Sequence, residues 1–334
     1  MRGVQGVSSA KGLPLVLMVC RGVGDLMWHL PTFRAIAARS PQGKIALAVR
    51  PTTQARDLLK AEPSIACVVD LPQPQPDASQ ILPYARIFRR EKPASIWVME
   101  RAPIPSFAAF LAGIPERHGY GMGSRKQELW LNAPPYMPRN TRKLQRIDKL
   151  NAFDAVHGFK VDREVNLALD PQVVAKVAAE FAGRPRPWVV FGVGASEPWK
   201  VWPVDRTPEV VARIRDRIGT LFWFGGPGEE EKVREVTAGR DDQPDTVMWF
   251  NRSMHEGAAL LSLADVFIGP DSGPMNVAAA VGTPAIGFYG PTPLLQYSRH
   301  LHAVYSRDGT IDGVTVPDVV ESLLPFLQAE RVAL

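Results

Sequence analysis

The sequence predicts two successive α/β domains, each built on a parallel sheet covered by helices. Three observations predict it. The chain has 334 residues, enough for two domains of ordinary size with large cores. Short apolar runs alternate with stretches of helical spacing, and this alternation occurs twice. Gly-rich turns follow several of the apolar runs, where a parallel strand would pass into a helix.

Residues 1–12 are rich in Gly and Ser and are expected to form a disordered tail. In the next region, 13–165, the runs 15–20, 45–49, 65–71 and 96–99 read as buried strands. Helical spacing appears between them at 26–39, 52–61, 79–90 and 105–113. Residues 117–136, rich in Gly and Pro, read as loops with short strands, and 143–157 returns to helix. Residues 166–187 are expected to link the domains. A second series fills 188–310, with strands at 188–191, 221–224, 247–250, 266–268 and 285–289. Its helices are expected at 206–218, 229–237, 255–263 and 275–281. Residues 311–334 hold a closing helix, 317–327, which the pattern allows on either domain. The result is two Rossmann-like units in tandem.

Composition narrows the function. Hydrophobic residues make up 46%, which is globular. No apolar run approaches the ~20 residues that span a bilayer. The apolar stretch 13–20 is followed at once by Arg21 and has no small-residue cleavage site, so it reads as a strand and not a signal peptide. Cys20 and Cys67 sit in apolar runs and read as buried thiols of a reducing, cytoplasmic compartment. No Cys or His spacing suggests structural zinc. The net charge of +5 hides an asymmetry. Residues 1–165 carry 24 Lys and Arg against 13 Asp and Glu, while residues 166–334 carry 15 against 21. A basic first half is suited to an acidic partner, although solvated helix faces give the same count. The pI of 9.3 has no aromatic-basic motif beside it that would indicate nucleic acid.

Three strand-to-helix turns hold groups that bury badly unless used. In Arg21-Gly22-Val23-Gly24-Asp25 the glycines permit a tight turn, and Asp25 stands at a helix start. A carboxylate there can cap the helix or act as a general base. The turn lacks the Gly-x-Gly-x-x-Gly spacing of a dinucleotide site, which argues against a dehydrogenase. The second turn runs from Gly192 through Gly194, Ser196, Trp199 and Lys200 to Trp202. Lys200 can meet a diphosphate with Ser196 and backbone N–H groups beside it, or lie on a tryptophan at the surface. The third, Gly269-Pro270-Asp271-Ser272-Gly273-Pro274-Met275-Asn276, leads into an alanine-rich helix closed by Gly282. Pro274 suits the first helical turn, and the N–H groups there form an anion site near Ser272 and Gly273. Thr292 adds a hydroxyl after the next strand.

The stretch from Asp271 to Pro284, followed by Gly287-Phe288-Tyr289-Gly290-Pro291-Thr292, resembles the C-terminal motif of glycosyltransferase family 9, the ADP-heptose:lipopolysaccharide heptosyltransferases. Gly22-Val23-Gly24-Asp25-Leu26-Met27-Trp28-His29-Leu30-Pro31 resembles that family's Gly-Asp…Leu-Pro signature. Lys200-Val201-Trp202-Pro203 is similar to its Lys-x-Trp-Pro motif, and Phe224-Gly225-Gly226-Pro227-Gly228-Glu229 to its Gly-Gly loop. The four matches follow the family's order over residues 20–293.

The resemblance implies a GT-B fold, two Rossmann-like domains facing across a cleft, and inverting, metal-independent transfer with no cofactor beyond the nucleotide-sugar substrate. It implies Asp25 as general base, with Lys200, Ser196, Asp271, Ser272, Gly273, Asn276 and Thr292 on the donor. ADP-heptose is the implied donor. An acidic glycolipid, inner-core lipopolysaccharide at the inner membrane surface, is the implied acceptor. Arg142, Lys143 and Arg146 are basic candidates for holding that acceptor, or an exposed helix face. The sequence departs from the family at two places. Asn276 stands where the family usually has His, and Trp28 stands where it often has His, with His29 next. Another GT-B enzyme, such as a protein glycosyltransferase or a nucleotide-sugar epimerase, or a non-catalytic nucleotide-sugar-binding protein, fits the same pattern.

Overall fold

The computed structural model describes residues 10–19, 22–73, 78–226, 228–239 and 244–327. Its contacts divide into two compact units. One holds Trp28–Arg163 with the residues before the first helix; the other holds Glu164 onward together with Gly22–Met27.

The N-terminal unit carries strands β1 (Pro14–Leu17), β2 (Ile45–Val49), β3 (Ile65–Asp70), β4 (Ser95–Val98) and β5 (Glu116–Gly119). All pair in parallel in the order β3-β2-β1-β4-β5. Helices α1 (Val23–Ala38), α2 (Ala55–Leu58), α3 (Ile81–Glu91), α4 (Pro103–Leu111), α5 (Arg125–Glu128) and α6 (Arg146–Val156) connect them. The central strands are buried on both faces, which is why they read as unbroken apolar runs and not as alternating patterns. Ile96 and Val98 join Leu15, Leu17, Tyr84 and Phe88 in one core. Trp97 points to the other face, where it stacks on His118 at 3.7 Å and meets Phe153 edge-on.

The C-terminal unit carries β6 (Trp188–Gly192), β7 (Thr220–Phe224), β8 (Asp245–Trp249), β9 (Val266–Pro270), β10 (Ala285–Tyr289) and β11 (Leu301–Tyr305) in the order β11-β10-β9-β6-β7-β8. These pairs are parallel too. Its helices are α7 (Pro171–Glu180), α8 (Thr207–Ile214), α9 (Glu230–Thr237), α10 (Met254–Leu263), α11 (Gly273–Ala280) and α12 (Val316–Leu327). Helix α12 packs Val319, Leu323 and Leu327 against Val210, Val211 and Ile214 of α8. The closing helix therefore belongs to this domain.

Several elements differ from expectation. The expected linker contains α7, started by the Asp170 carboxylate accepting from the Gln172 N–H at 2.9 Å and by Pro171 in the first turn. The expected helix 52–61 is a single turn, α2, after a 3-10 turn at Pro51–Thr53. At the other end, Ala10–Gly12 is tied down: Ala10 is buried and donates to Glu91, and Gly12 donates to the Lys92 carbonyl. Residues 1–9, Cys20, Arg21 and residues 328–334 lie outside the described residues, while Cys67 is a buried free thiol. No helix among the described residues is long and apolar enough to cross a membrane.

Candidate functional site

In an open parallel sheet, ligands settle beyond the carboxyl ends of the strands where the chain order reverses. In the C-terminal sheet that point lies between β6 and β9, since β7 and β8 extend one way and β10 and β11 the other. The loops leaving β6 and β9 carry the second and third sequence motifs, so topology alone brings them together.

Lys200 closes a 3-10 turn, Pro198–Lys200, in the loop after β6. Its Nζ lies 2.5 Å from Asp271 Oδ2, at the end of β9, and 5.3 Å from the Trp199 ring. Both charged side chains are one-fifth exposed. An ammonium has three donors, so this pairing leaves two for a ligand. Thr292 approaches the same carboxylate oxygen at 3.4 Å. Next to Asp271, Ser272 is the N-cap of α11, with extended φ and ψ. Its hydroxyl is buried and has no hydrogen-bond partner. A buried hydroxyl left in that state costs free energy unless something binds it. With a lysine, a helix N-terminus and an unsatisfied hydroxyl together, this strand end favours an anion.

Asn276, one turn into α11, spends its amide inside the protein. Its Nδ2 donates to the Ser272 carbonyl at 2.8 Å, and the Tyr297 hydroxyl donates to its Oδ1 at 2.6 Å. Burial, and then the charges of Asp271 and Glu164, push the Tyr297 hydroxyl far above its ordinary range, so it stays protonated and keeps donating. The start of α1 rests here as well. A Cβ on Gly24 would sit 2.8 Å from Asn276 Nδ2, and one on Gly273 3.0 Å from Val23 Cβ. Glycines at both places let the first turn of α1 lie against α11. That turn carries the half-buried Asp25. Asp25, Lys200, Asp271, Ser272, Gly273, Asn276 and Thr292 thus all fall in one structural unit.

Other expected residues fall elsewhere. Ser196 is exposed in the loop before Lys200, and no hydrogen bond brings it to the pair. Trp28 and His29 are buried packing groups, with ring centroids 3.8 Å apart and His29 stacked on Phe33. Arg142 is half-buried, its Nε donating to the Met122 carbonyl at 2.6 Å, while Lys143 and Arg146 are exposed.

One residue of the site carried no role in the sequence reading. Glu229, after β7, accepts from the Gly226 N–H at 2.5 Å. A Cβ on Gly194 would lie 1.9 Å from its Oε1. The Gly-rich turn after β6 is thus shaped around a carboxylate from the neighbouring strand. The signal was present as the Gly-Gly-x-Gly-Glu run.

Two parallel-sheet α/β domains of this order form the GT-B fold. Over 94% of this chain and 98% of the other, the structure matches an Escherichia coli ADP-heptose lipopolysaccharide heptosyltransferase II with a TM-score of 0.72 and 19% identity. The family model of glycosyltransferase family 9 (heptosyltransferase) matches residues 104–305, and the chain belongs to this family of glycosyltransferases. Lipopolysaccharide heptosyltransferase 3 of Escherichia coli is 30% identical over 115 residues, about a third of either chain. Lipopolysaccharide heptosyltransferase 2 of Salmonella typhimurium is 25% identical over 330 residues, covering 90% of this chain and 91% of that one.

Proposed function

We propose that the protein transfers heptose from ADP-heptose to an acidic sugar of inner-core lipopolysaccharide presented at the inner membrane surface, with inversion and without a metal. The observation that carries this is the Lys200–Asp271 pair beside the buried, unsatisfied Ser272 hydroxyl at the start of α11. Those groups suit a nucleotide diphosphate. The donor and acceptor follow the names of the relatives that match most of the chain.

In this reading the diphosphate lies at the N-terminus of α11, with Lys200 donating to it. Glu229 accepts from the ribose hydroxyls. Asn276 and Tyr297 hold α11 and the start of α1 in register, and do not themselves grip the donor. Asp25 takes the proton of the acceptor hydroxyl as that oxygen attacks the anomeric carbon from the face opposite the diphosphate. As the C–O bond to the diphosphate breaks, negative charge grows on the leaving oxygen, and Lys200 with the helix N–H groups stabilises it.

The test is Asp25→Asn, assayed with ADP-heptose and truncated lipopolysaccharide. The amide keeps the side chain's size and cannot take the proton. ADP affinity stays near wild type while turnover falls by about 10²–10⁴. A folded variant with near-wild-type turnover removes Asp25 from the role of base.

A further inference from the structure

The N-terminal unit buries an arginine that no acid among the described residues neutralises. Four charged side chains other than histidine fall in the buried class among the described residues: Arg50, Glu62, Glu91 and Asp154. Each carboxylate has an arginine. Arg34 holds Glu62 at 2.8 Å, Arg90 holds Glu91 at 2.8 Å, and Arg163 holds Asp154. Arg50 is 7% exposed, its Nε is fully buried without a hydrogen-bond partner, and it forms no ion pair among the described residues. Burying a guanidinium in that state is costly, and such a charge persists where something else supplies the counter-charge.

Position says where that counter-charge would come from. Arg50 directly follows β2, on the carboxyl edge of the parallel sheet. Its backbone is fixed, because the N–H and the hydroxyl of Thr53 both donate to its carbonyl, at 3.0 and 2.7 Å. Tyr84 of α3 feels the charges of both Arg50 and Glu100. Glu100 leaves the same sheet edge after β4, where its Oε1 accepts from the Val19 N–H at 2.7 Å. Strand β2 pairs with β1, the strand whose following turn leads to Asp25.

We infer that Arg50 is a binding residue for an oxyanion of the acceptor, a sugar carboxylate or a phosphate substituent, and that it anchors the acceptor on the N-terminal sheet. The inference rests on the reading of the chain as a transferase with an acidic acceptor. The planar guanidinium suits both oxyanions, because each presents two oxygens to its fork of N–H groups.

The experiment compares wild type, Arg50→Gln and Arg50→Lys as full-length proteins. Thermal melts are run alone, with the free sugar acid Kdo, with the neutral methyl ester of Kdo, and with inorganic phosphate. ADP binding is measured by calorimetry, and KM and kcat with Kdo-bearing truncated lipopolysaccharide. Kdo or phosphate raises the melting temperature of wild type and not of Arg50→Gln, and the ester raises neither. A response to Kdo assigns the site to a carboxylate; a response to phosphate alone assigns it to a phosphate substituent. Without ligand, Arg50→Gln melts no lower than wild type, because it removes an uncompensated buried charge. Its acceptor KM rises about tenfold to a hundredfold while kcat falls far less, and ADP affinity is unchanged. Arg50→Lys keeps the charge but not the fork, and lies between.

Equal responses to Kdo and phosphate in wild type and Arg50→Gln overturn the inference. So does a marked loss of stability in Arg50→Gln, which makes the arginine structural, or a parallel loss of ADP affinity, which places it on the donor. Failure of the transferase reading shows separately, as a wild-type protein that binds no ADP and turns over no acceptor, whereas the melts with Kdo and phosphate still report on Arg50.

Discussion

Removing Lys200 should do more harm than the loss of one hydrogen bond, and the excess is set by Asp271. In the free protein the two charges neutralise each other across 2.5 Å. In the proposed complex the diphosphate brings negative charge to the same place, and Lys200 serves both. Deleting it with Lys200→Ala forfeits a charged hydrogen bond, about 1.5–3 kcal/mol. It also leaves the Asp271 carboxylate facing the incoming diphosphate. Two like charges ~5 Å apart repel by about 1–3 kcal/mol between effective dielectrics of ~80 and ~20. The total is roughly 2.5–6 kcal/mol, a rise of about two to four decades in the Kd for ADP. Adding Asp271→Asn removes the repulsion and not the missing cation, so the double variant should bind ADP more tightly than Lys200→Ala alone. Asp271→Asn by itself should stay within about 1 kcal/mol of wild type, since it frees the ammonium for the diphosphate. Calorimetry with ADP on the four proteins at one ionic strength closes the cycle. Equal affinities for Lys200→Ala and the double variant would show that Asp271 does not face the ligand. Unchanged affinity in Lys200→Ala would place the lysine outside the donor site altogether.

Two further perturbations test the packing around the site and the pH response of the N-terminal unit. Gly24→Ala gains up to ~1 kcal/mol of helix propensity, but its Cβ would come 2.8 Å from Nδ2 and 3.2 Å from Cγ of an Asn276 side chain held by two hydrogen bonds. Overpacking of ~1–3 kcal/mol exceeds the gain, so denaturant melts should show a net loss, and adding Asn276→Ala should recover part of it. Burial, and then the charges of His118 and Arg39, push the His157 imidazole down to about 4. The unfolded chain takes that proton near 6.5 and the folded chain does not until about 4, so stability is full above pH 6.5 and falls as the pH drops toward 4. We expect a loss of about 1–3 kcal/mol between pH 7 and 4.5 that is smaller in His157→Phe. Parallel pH profiles of the two proteins would refute the assignment.

The buried strands were legible because both their faces are covered, and residues 45–49 and 285–289 carry no polar interruption. Two of the four edge strands, β5 and β11, were harder to read. In β5 the run Glu116-Arg117-His118-Gly119 is polar, and β11 sets His302, half-buried against Phe326, and the exposed Tyr305 among its apolar residues, so neither gives a continuous apolar run. Helix α7 was hidden in an expected linker, although the Asp170-Pro171 start is a cap signal in its own right. At the site, Lys200 and Asp271 stood out as motif residues, but nothing local says that they pair. They are 71 positions apart and meet because of strand order. Asn276 read as a ligand contact, since its place in the motif is visible and the two bonds that occupy its amide are not. Tyr297 lies in a loop with no motif, and Arg50 looks from sequence like any arginine after a strand. Its burial and its missing partner are properties of the packing.

The two domains repeat one plan. Counted from the first strand of each, both sheets run 3-2-1-4-5, and the C-terminal sheet adds a sixth strand beyond the fifth. Each switch point therefore lies between the first and fourth strands, and chemistry belongs on the loops that follow them. In the C-terminal unit those loops hold Lys200 and Asp271, with the α11 N-terminus behind. In the N-terminal unit the loop after the first strand leads to Asp25, and the fourth strand is followed by Glu100. The order is shared, so the order cannot decide which half takes the nucleotide. What distinguishes the halves is charge accounting. The C-terminal strand ends carry a cation already paired with an acid, and in the proposed complex the diphosphate shares that ammonium through its two remaining donors. The N-terminal edge carries a buried Arg50 with no anionic partner among the described residues, an arrangement that a monovalent carboxylate or a phosphate substituent completes. Those two pairings support the proposed placing of the acidic acceptor on one sheet and the nucleotide on the other, and in that proposal Asp25, at the head of the helix that both units share, takes the proton that must leave when the two substrates react.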